Sequence, residues 1–316
     1  MTRPDTPVEN WTIGLVGYGE VGRILAEDLR ARGVTRVLAS DIKLGGADER
    51  PLIEHAGRYG VELIAAPSGL AAEADLLISA VTASQAVAVA EACAPGLRTG
   101  TWYLDLNSAS PGAKVRVAEL VGASGGRSVE GAVMTSVPPY RIKVPMLLGG
   151  PYAAGLAPAL ANLGFAATVA DERLGVASAT KMCRSVMIKG LEAMVIESFT
   201  AARAYGVEDS VIASLKETFP GIDWEQIGAY FFQRVIQHGR RRAEEMREVA
   251  QTVREAGLEP WSATGTAERQ DWVADLAGQG VFGPKDGADF GKTRDWRVEA
   301  DRILRHRTVP DPGKPS

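Results

Sequence analysis

Residues 11–41 narrow the choice of folds more than any other stretch. Trp11 to Val16 (WTIGLV) is a short apolar run of strand type. Gly17-Tyr18-Gly19-Glu20-Val21-Gly22 follows without a gap, and Val21 to Ala31 carries a helical pattern. A G-x-G-x-x-G set between a strand and a helix has a mechanical meaning. Gly17 permits the tight turn, Gly19 lets a pyrophosphate approach the backbone, and Gly22 lets helix and strand pack closely. The helix N-terminus offers unpaired N–H groups and a positive dipole end to the phosphates. The glycine pattern alone is weak. A second strand, Arg36 to Ser40, ends in Asp41, 24 residues after Gly17, where an acid accepts hydrogen bonds from the ribose hydroxyls. That carboxylate repels a 2′-phosphate, so NAD is the expected cofactor. Ser40 and Lys43 could bind that phosphate and keep NADP as the alternative. Tyr18, Glu20 and Val21 join the three glycines and Asp41 as cofactor-binding candidates.

Strand and helix signals keep alternating as far as residue 171. Val61 to Ala65, Asp75 to Val81, Thr101 to Leu106, the run leading to Gly131, Val144 to Gly150 and Ala166 to Ala170 all read as strands. Such β-α alternation predicts a Rossmann-type, doubly wound parallel sheet. Ligands in these sheets sit beyond the carboxyl ends of the strands. Val81-Thr82, Asn107-Ser108 and Thr135-Ser136 lie at three such ends. Val81, Thr82 and Asn107 are therefore cofactor-binding candidates, and Asn107, Ser108, Thr135 and Ser136 substrate-binding candidates. The competing role for Ser, Thr and Asn at these points is capping of the next helix.

Leu174 to Tyr205 has no proline and a single interior glycine, Gly190. It predicts one long helix of roughly 45 Å. On a helical wheel Met182, Val186, Met187, Leu191 and Met194 share one broad side, and Lys181, Arg184, Ser185, Lys189 and Glu192 share the other. The bland reading of the charged side is a solvated face. Beyond Gly206 strand signals vanish. Helical patterns run through Ser210 to Thr218, Trp224 to Gln237, Arg240 to Ala256 and Ala263 to Leu276, and a loop or tail is expected after Ala277. The expected organisation is a dinucleotide-binding domain over 1–172 and an all-α C-terminal domain over 173–316, opened by the long inter-domain helix 174–205.

Composition excludes more than it specifies. The 316 residues suggest two domains. A net charge of −4 gives no reason to expect nucleic acid or an anionic membrane as partner. No apolar stretch is long enough to span a bilayer, and MTRPDTPVEN has no signal-peptide character. Cys93 and Cys183 show no metal or redox spacing and read as reduced, buried thiols of a cytoplasmic protein. No metal site is expected. The first ten and last nine residues are expected to be mobile.

Taken together, four stretches resemble the β-hydroxyacid dehydrogenase family, relatives of 6-phosphogluconate dehydrogenase. They are IGLVGYGEVG (Ile13 to Gly22), DLNSASP (Asp105 to Pro111), GAVMTS…MLLGG (Gly131 to Gly150) and GVASATKMCRS (Gly175 to Ser185). The resemblance covers residues 11–205. It implies a Rossmann-type domain, a long inter-domain helix, a helical C-terminal domain of a variant kind, a dimer, and a catalytic lysine matched by Lys181. Departures limit the substrate. Met134-Thr135-Ser136 replaces the family's Ser-Gly-Gly, Arg184 and Ser185 replace its paired asparagines, and Ile188 stands where the phosphogluconate enzymes carry a glutamate. Imine reductases share the fold and usually lack the lysine.

An NAD(P)-dependent dehydrogenase or reductase of a small hydroxy acid, or of its keto form, is therefore expected. A reductase of another C=O or C=N substrate and a non-catalytic redox sensor are the alternatives. Alcohol oxidation needs a base for the hydroxyl proton, and an ordinary lysine is protonated at neutral pH. Burial and a neighbouring cation such as Arg184 would lower its pKa, while Glu192 could instead pair with Lys181 and keep it charged. Arg184 could grip a substrate carboxylate through two parallel N–H bonds. His238, in the run Gln237-His238-Gly239-Arg240-Arg241-Arg242, is a further candidate contact for a small anionic substrate, whereas His55 and His306 read as ordinary. Phe219, Trp224, Tyr230, Phe231, Phe232 and Trp261 suggest more apolar surface than the helical half can bury alone, hence a homodimer built through it.

Overall fold

A computed structural model describes residues 7–287 and 289–306, so most of the termini expected to be mobile lies outside the described residues. The chain divides into two compact units, Met1–Cys183 and Arg184–Ser316.

The first unit is built on eight strands: β1 (Thr12–Val16), β2 (Arg36–Ser40), β3 (Glu62–Leu63), β4 (Leu76–Ser79), β5 (Trp102–Asp105), β6 (Arg127–Val133), β7 (Met146–Gly149) and β8 (Ala167–Asp171). Their order in the sheet is β3-β2-β1-β4-β5-β6-β7-β8. Helices α1 (Glu20–Ala31), α2 (Arg50–Tyr59), α3 (Pro67–Glu73), α4 (Ala86–Cys93), α5 (Pro111–Ala123), α6 (Val137–Tyr140) and α7 (Ala153–Asn162) connect them. Both faces of the sheet are covered, which is why its central strands read as unbroken apolar runs. Ile13, Leu15, Ile78 and Leu104 pack into one core, and Val16, Leu38, Leu77 and Tyr103 into the other. The strand order reverses between β1 and β4, where a doubly wound sheet opens a crevice for a ligand.

The sheet departs from the expected all-parallel arrangement at one place. β6 and β7 pair antiparallel, Glu130 opposite Gly149 and Val133 opposite Met146, and β8 then runs parallel to β7. A parallel return needs a crossover of a dozen or more residues, usually with a full helix. The link 134–145 just reaches that length but carries no full helix, only the single turn α6 and a 3-10 turn, Arg141–Lys143, and the chain folds straight back.

Helix α8 (Val176–Tyr205) has the predicted length. The second unit continues with α9 (Glu208–Thr218), α10 (Trp224–Glu255), α11 (Trp261–Gly278) and α12 (Trp296–Arg305). Two expectations are corrected here. The pair of helices placed on either side of Gly239 is one helix, α10, with 32 residues. Gly239 does not break it; a Cβ there would sit 2.7 Å from the Gln270 carbonyl oxygen, so the glycine serves close packing of α11. The stretch after Ala277 is a loop only as far as Asp295, whose side chain caps α12. Trp296 is the largest fully buried side chain of this unit's core and meets the rings of Phe199 and Phe232 at tilted angles. Among the described residues no helix is long and apolar enough to cross a membrane.

Part of α8 reverses the simple expectation, although Met182 is buried and Arg184 exposed as the wheel suggests. Met187 is 72% exposed and Met194 60%, whereas Lys189 and Glu192 are 7% and 2% exposed. Their charges are paired rather than solvated: Glu192 with Arg242, and Lys189 with Glu245. Cys93 is buried as expected, and burial pushes its thiol up to about 12. Cys183, however, is exposed, because it lies on the outward side of α8.

Candidate functional site

In the first unit the turn after β1 has the shape that its glycines predict. Gly17 has φ +94, and a Cβ there would clash with the Ala80 carbonyl. A Cβ on Gly22 would clash with the Gly17 carbonyl, so α1 and β1 meet at van der Waals distance. A Cβ on Gly19 would meet nothing within 4 Å. The space in front of Gly19 is therefore open, and α1 begins at Glu20 immediately beyond it. This is a cradle that fits a pyrophosphate laid against a helix N-terminus. Gly19 and Glu20 are exposed and Val21 half-buried at its mouth.

Asp41 stands at the end of β2, and both of its oxygens are oriented by backbone donors. Oδ2 accepts from Tyr18 N–H at 2.7 Å and Oδ1 from Lys43 N–H at 3.0 Å. The carboxylate is thus tied directly to the glycine turn. The Tyr18 side chain points the other way, into the core. Its hydroxyl meets His55 Nδ1 at 2.8 Å, His55 Nε2 meets Glu27 at 3.0 Å, and Glu27 also pairs with Arg141. His55 is therefore part of a partly buried network under the turn and not the ordinary residue that the sequence suggests.

The ends of β4 and β5 are joined by Asn107. Its Oδ1 accepts from Val81 N–H at 2.7 Å, and its Nδ2 donates to Ser79 Oγ at 2.9 Å. With 3% exposure the amide is a bridge between two strand ends. Thr82 precedes a 3-10 turn and makes no capping bond with its side chain. Thr135 is exposed, and Ser136 is half-buried at the start of α6. Capping in this region falls to Ser110, which accepts from Ala113 N–H at the head of α5.

Ser108 and Lys181 come together. Lys181 Nζ donates to Ser108 Oγ at 2.5 Å, with both side chains half-buried. Two buried charges that the sequence reading missed hold the surroundings. Lys114 Nζ reaches the Asp105 carbonyl and its Oδ1, each at 3.0 Å, with 2% and 1% side-chain exposure. Asp105 Oδ1 also accepts from Asn107 N–H. The loop carrying Asn107 and Ser108 is thereby pinned from inside. Glu130 on β6 accepts from Gly175 N–H and Ala177 N–H at 2.8 and 3.1 Å, at the head of α8. A charged residue in the middle of the apolar run SVEGAV was the available signal.

In the second unit Arg184 is exposed and Ser185 buried on α8. Glu192 pairs with Arg242, not with Lys181. His238 is half-buried on α10. Burial, with the charges of Arg234, Arg241 and Arg242, pulls its pKa down to about 4, so it is neutral at neutral pH. The three arginines after Gly239 diverge: Arg240 pairs with Asp271 and Asp275, Arg241 with Glu245, and Arg242 with Glu192.

Comparison with known proteins agrees with this architecture. Residues 12–108 match the family model described as NADP oxidoreductase, coenzyme F420-dependent, and residues 202–273 match a domain of unknown function, DUF1932. A conserved hypothetical protein from Sinorhizobium meliloti 1021 is 35% identical, with a TM-score of 0.73 over 93% of this chain and 96% of that one. The conserved protein MTH1747, of unknown function and noted for its structural similarity with 3-hydroxyacid dehydrogenases, is 30% identical. Its TM-score is 0.66 over 85% of this chain and 98% of that one. A 3-hydroxyisobutyrate dehydrogenase from Mycobacterium tuberculosis, solved with L-serine, shares the fold at 16% identity, with a TM-score of 0.65 over 93% and 99%.

Sheet, glycine turn and matches together define an NAD(P)-binding oxidoreductase of the 3-hydroxyacid dehydrogenase fold. The chain belongs to the β-hydroxyacid dehydrogenase family, relatives of 6-phosphogluconate dehydrogenase, as a member with a variant helical C-terminal domain.

Proposed function

We propose that the protein oxidises a small hydroxy acid, or reduces its keto form, with Lys181 moving the proton. The observation that carries this reading is the 2.5 Å hydrogen bond from Lys181 Nζ to Ser108 Oγ. It sets an amine beside the loop that follows β5, at the carboxyl end of the sheet where such folds do their chemistry. A nicotinamide dinucleotide bound at the Gly17–Gly22 turn supplies the hydride acceptor or donor. In oxidation the neutral Lys181 amine takes the hydroxyl proton while the carbon becomes a carbonyl. In reduction the ammonium returns a proton to the forming alkoxide. Ser108 orients Nζ by accepting one of its hydrogens. Arg184, one helical turn on along α8, is the proposed grip for the substrate carboxylate. Turnover of cofactor with a panel of hydroxy acids, and its loss in Lys181→Ala, tests this reading.

NAD is the preferred cofactor in this proposal, because Asp41, held in place at the end of β2 by Tyr18 N–H and Lys43 N–H, would repel a 2′-phosphate. Fluorescence titration with both reduced cofactors checks it, and tighter binding of NADPH contradicts it. Residues 1–172 serve the cofactor, and residues 173–316 serve substrate binding and assembly into a cytoplasmic homodimer. Trp261 (81% exposed), Tyr230 and Met187 are the apolar side chains that dimerisation would cover. A stable monomer by light scattering at micromolar concentration would refute the dimer.

A further inference from the structure

We propose that Glu130 is a positioning residue for Lys181, a buried carboxylate that fixes the first turn of α8 from the sheet below. Glu130 is 2% exposed on β6. Its Oε1 accepts from Gly175 N–H and Ala177 N–H, two of the donors that a helix start leaves without a partner in its own backbone. Helices usually take such a cap from a Ser, Thr, Asp or Asn at their own N-terminus. Here that place is Gly175, with φ +90, and the cap comes from a strand 45 residues earlier. A local cap would satisfy the same N–H groups without tying the helix to anything. A cap from β6 fixes the helix to the sheet.

The neighbouring glycines make room for this arrangement. A Cβ on Gly149, on the strand paired with β6, would strike the Glu130 carboxylate. A Cβ on Gly150 would sit 2.8 Å from Leu174 Cδ2, and a Cβ on Gly175 would sit 3.1 Å from Pro111 Cβ. The head of α8 is thus confined by Glu130 on one side and by the start of α5 on another. Lys181 lies four residues past Ala177, about 6 Å along the helix axis, and Ser108 lies three residues before Pro111. Both partners of the Lys181–Ser108 hydrogen bond are therefore placed by this one junction. Burying a carboxylate is costly unless it is well bonded. The two N–H donors to Oε1 and the positive end of the helix offset part of that cost, while Oε2 is buried without a hydrogen-bond partner.

The proposal rests on the hydroxy-acid reading for its activity readout only, so the test has a second readout. Glu130→Ala and Glu130→Gln are compared with the wild-type chain in three measurements. The first is the rate of reductive methylation of Lys181, followed by peptide mass mapping with exposed Lys43 and Lys216 as internal references. The second is cofactor affinity, and the third is kcat and KM. In Glu130→Ala we expect Lys181 to be methylated severalfold faster and kcat to fall roughly 10- to 100-fold, the scale of a small misplacement of a reacting group. KM and cofactor affinity should stay near wild type. Glu130→Gln, which keeps an acceptor oxygen, should fall between Ala and wild type. If Glu130→Ala does not fold, the Gln variant decides: intermediate methylation supports positioning, and a wild-type rate overturns it. Unchanged methylation and kcat in the variants, or a loss of cofactor affinity equal to the loss of kcat, also overturns it. If the wild-type protein turns over no hydroxy acid, the functional reading falls, while the methylation rates still decide the role of Glu130.

Discussion

Arg242→Met should destabilise the helical unit far more than an ordinary arginine replacement. Arg242 and Glu192 are 7% and 3% exposed by side chain and paired with each other. Methionine fills similar space without the charge and leaves Glu192 accepting from Gln270 Nε2 at 3.5 Å. Removing one member of a buried pair costs about 3–5 kcal/mol, most of it from the charge left behind. Lys189 lies close enough to feel both charges, so the loss should sit near the lower end, about 3 kcal/mol. For a unit of this size that is a drop of roughly 10 °C in melting temperature. Removing both charges in Glu192→Leu/Arg242→Met should recover most of the loss, since a buried pair is often no better than apolar replacements.

The single variant should also show a new pH dependence. A buried, unpaired Glu192 has its folded pKa raised above the unfolded value of about 4.3. Between those two values the folded state binds more protons than the unfolded one, so stability falls as pH rises through the window. The deficit should therefore shrink as pH is lowered toward about 4.3. Thermal and urea denaturation of wild type, both single variants and the double variant measure all of this. A loss below about 1 kcal/mol, or a double variant no more stable than Arg242→Met, would refute the reasoning.

Three further outcomes are expected. Gly19→Ala should fold with an unchanged melting temperature, because its Cβ enters open space, yet bind reduced cofactor more weakly; Asp41→Ala in the same titration should narrow the preference for NADH over NADPH. His238 has its pKa lowered from 6.5 to about 4 in the fold, so the unfolded chain binds the extra proton between those values and stability should rise with pH across that window; His238→Asn should flatten the rise, and an unchanged slope would assign it to other groups.

Local patterns carried the reading where the cause of a structure is local. Gly17 to Gly22, the β-α alternation and the length of α8 follow from residues close in sequence, and each appears in the fold. The misses have distant causes. Gly239 looked like a helix end because its requirement is set by Gln270 on α11. The partners of Glu192 on the charged side of α8 were not legible because Arg242 and Gln270 lie 50 and 78 residues away. β7 could not be oriented from its composition, since parallel and antiparallel strands present the same alternation to a sequence reading. Asn107 was picked correctly as a residue at the strand ends, but its amide is spent on Val81 and Ser79. Glu130 and Lys114, each buried and charged among apolar neighbours, were legible only as anomalies that demand partners.

The central claim is that Lys181 exchanges the substrate's proton. It is tested most directly by steady-state turnover of Lys181→Ala beside wild type, on a hydroxy acid that the wild-type protein oxidises with NAD. The account predicts a fall in kcat of roughly 10²–10⁴-fold, the scale of general acid–base catalysis, with NADH affinity unchanged by fluorescence titration. Lys181→Arg should not restore the rate, because arginine does not release its proton. Near-normal turnover in Lys181→Ala, or full rescue by arginine, would contradict it.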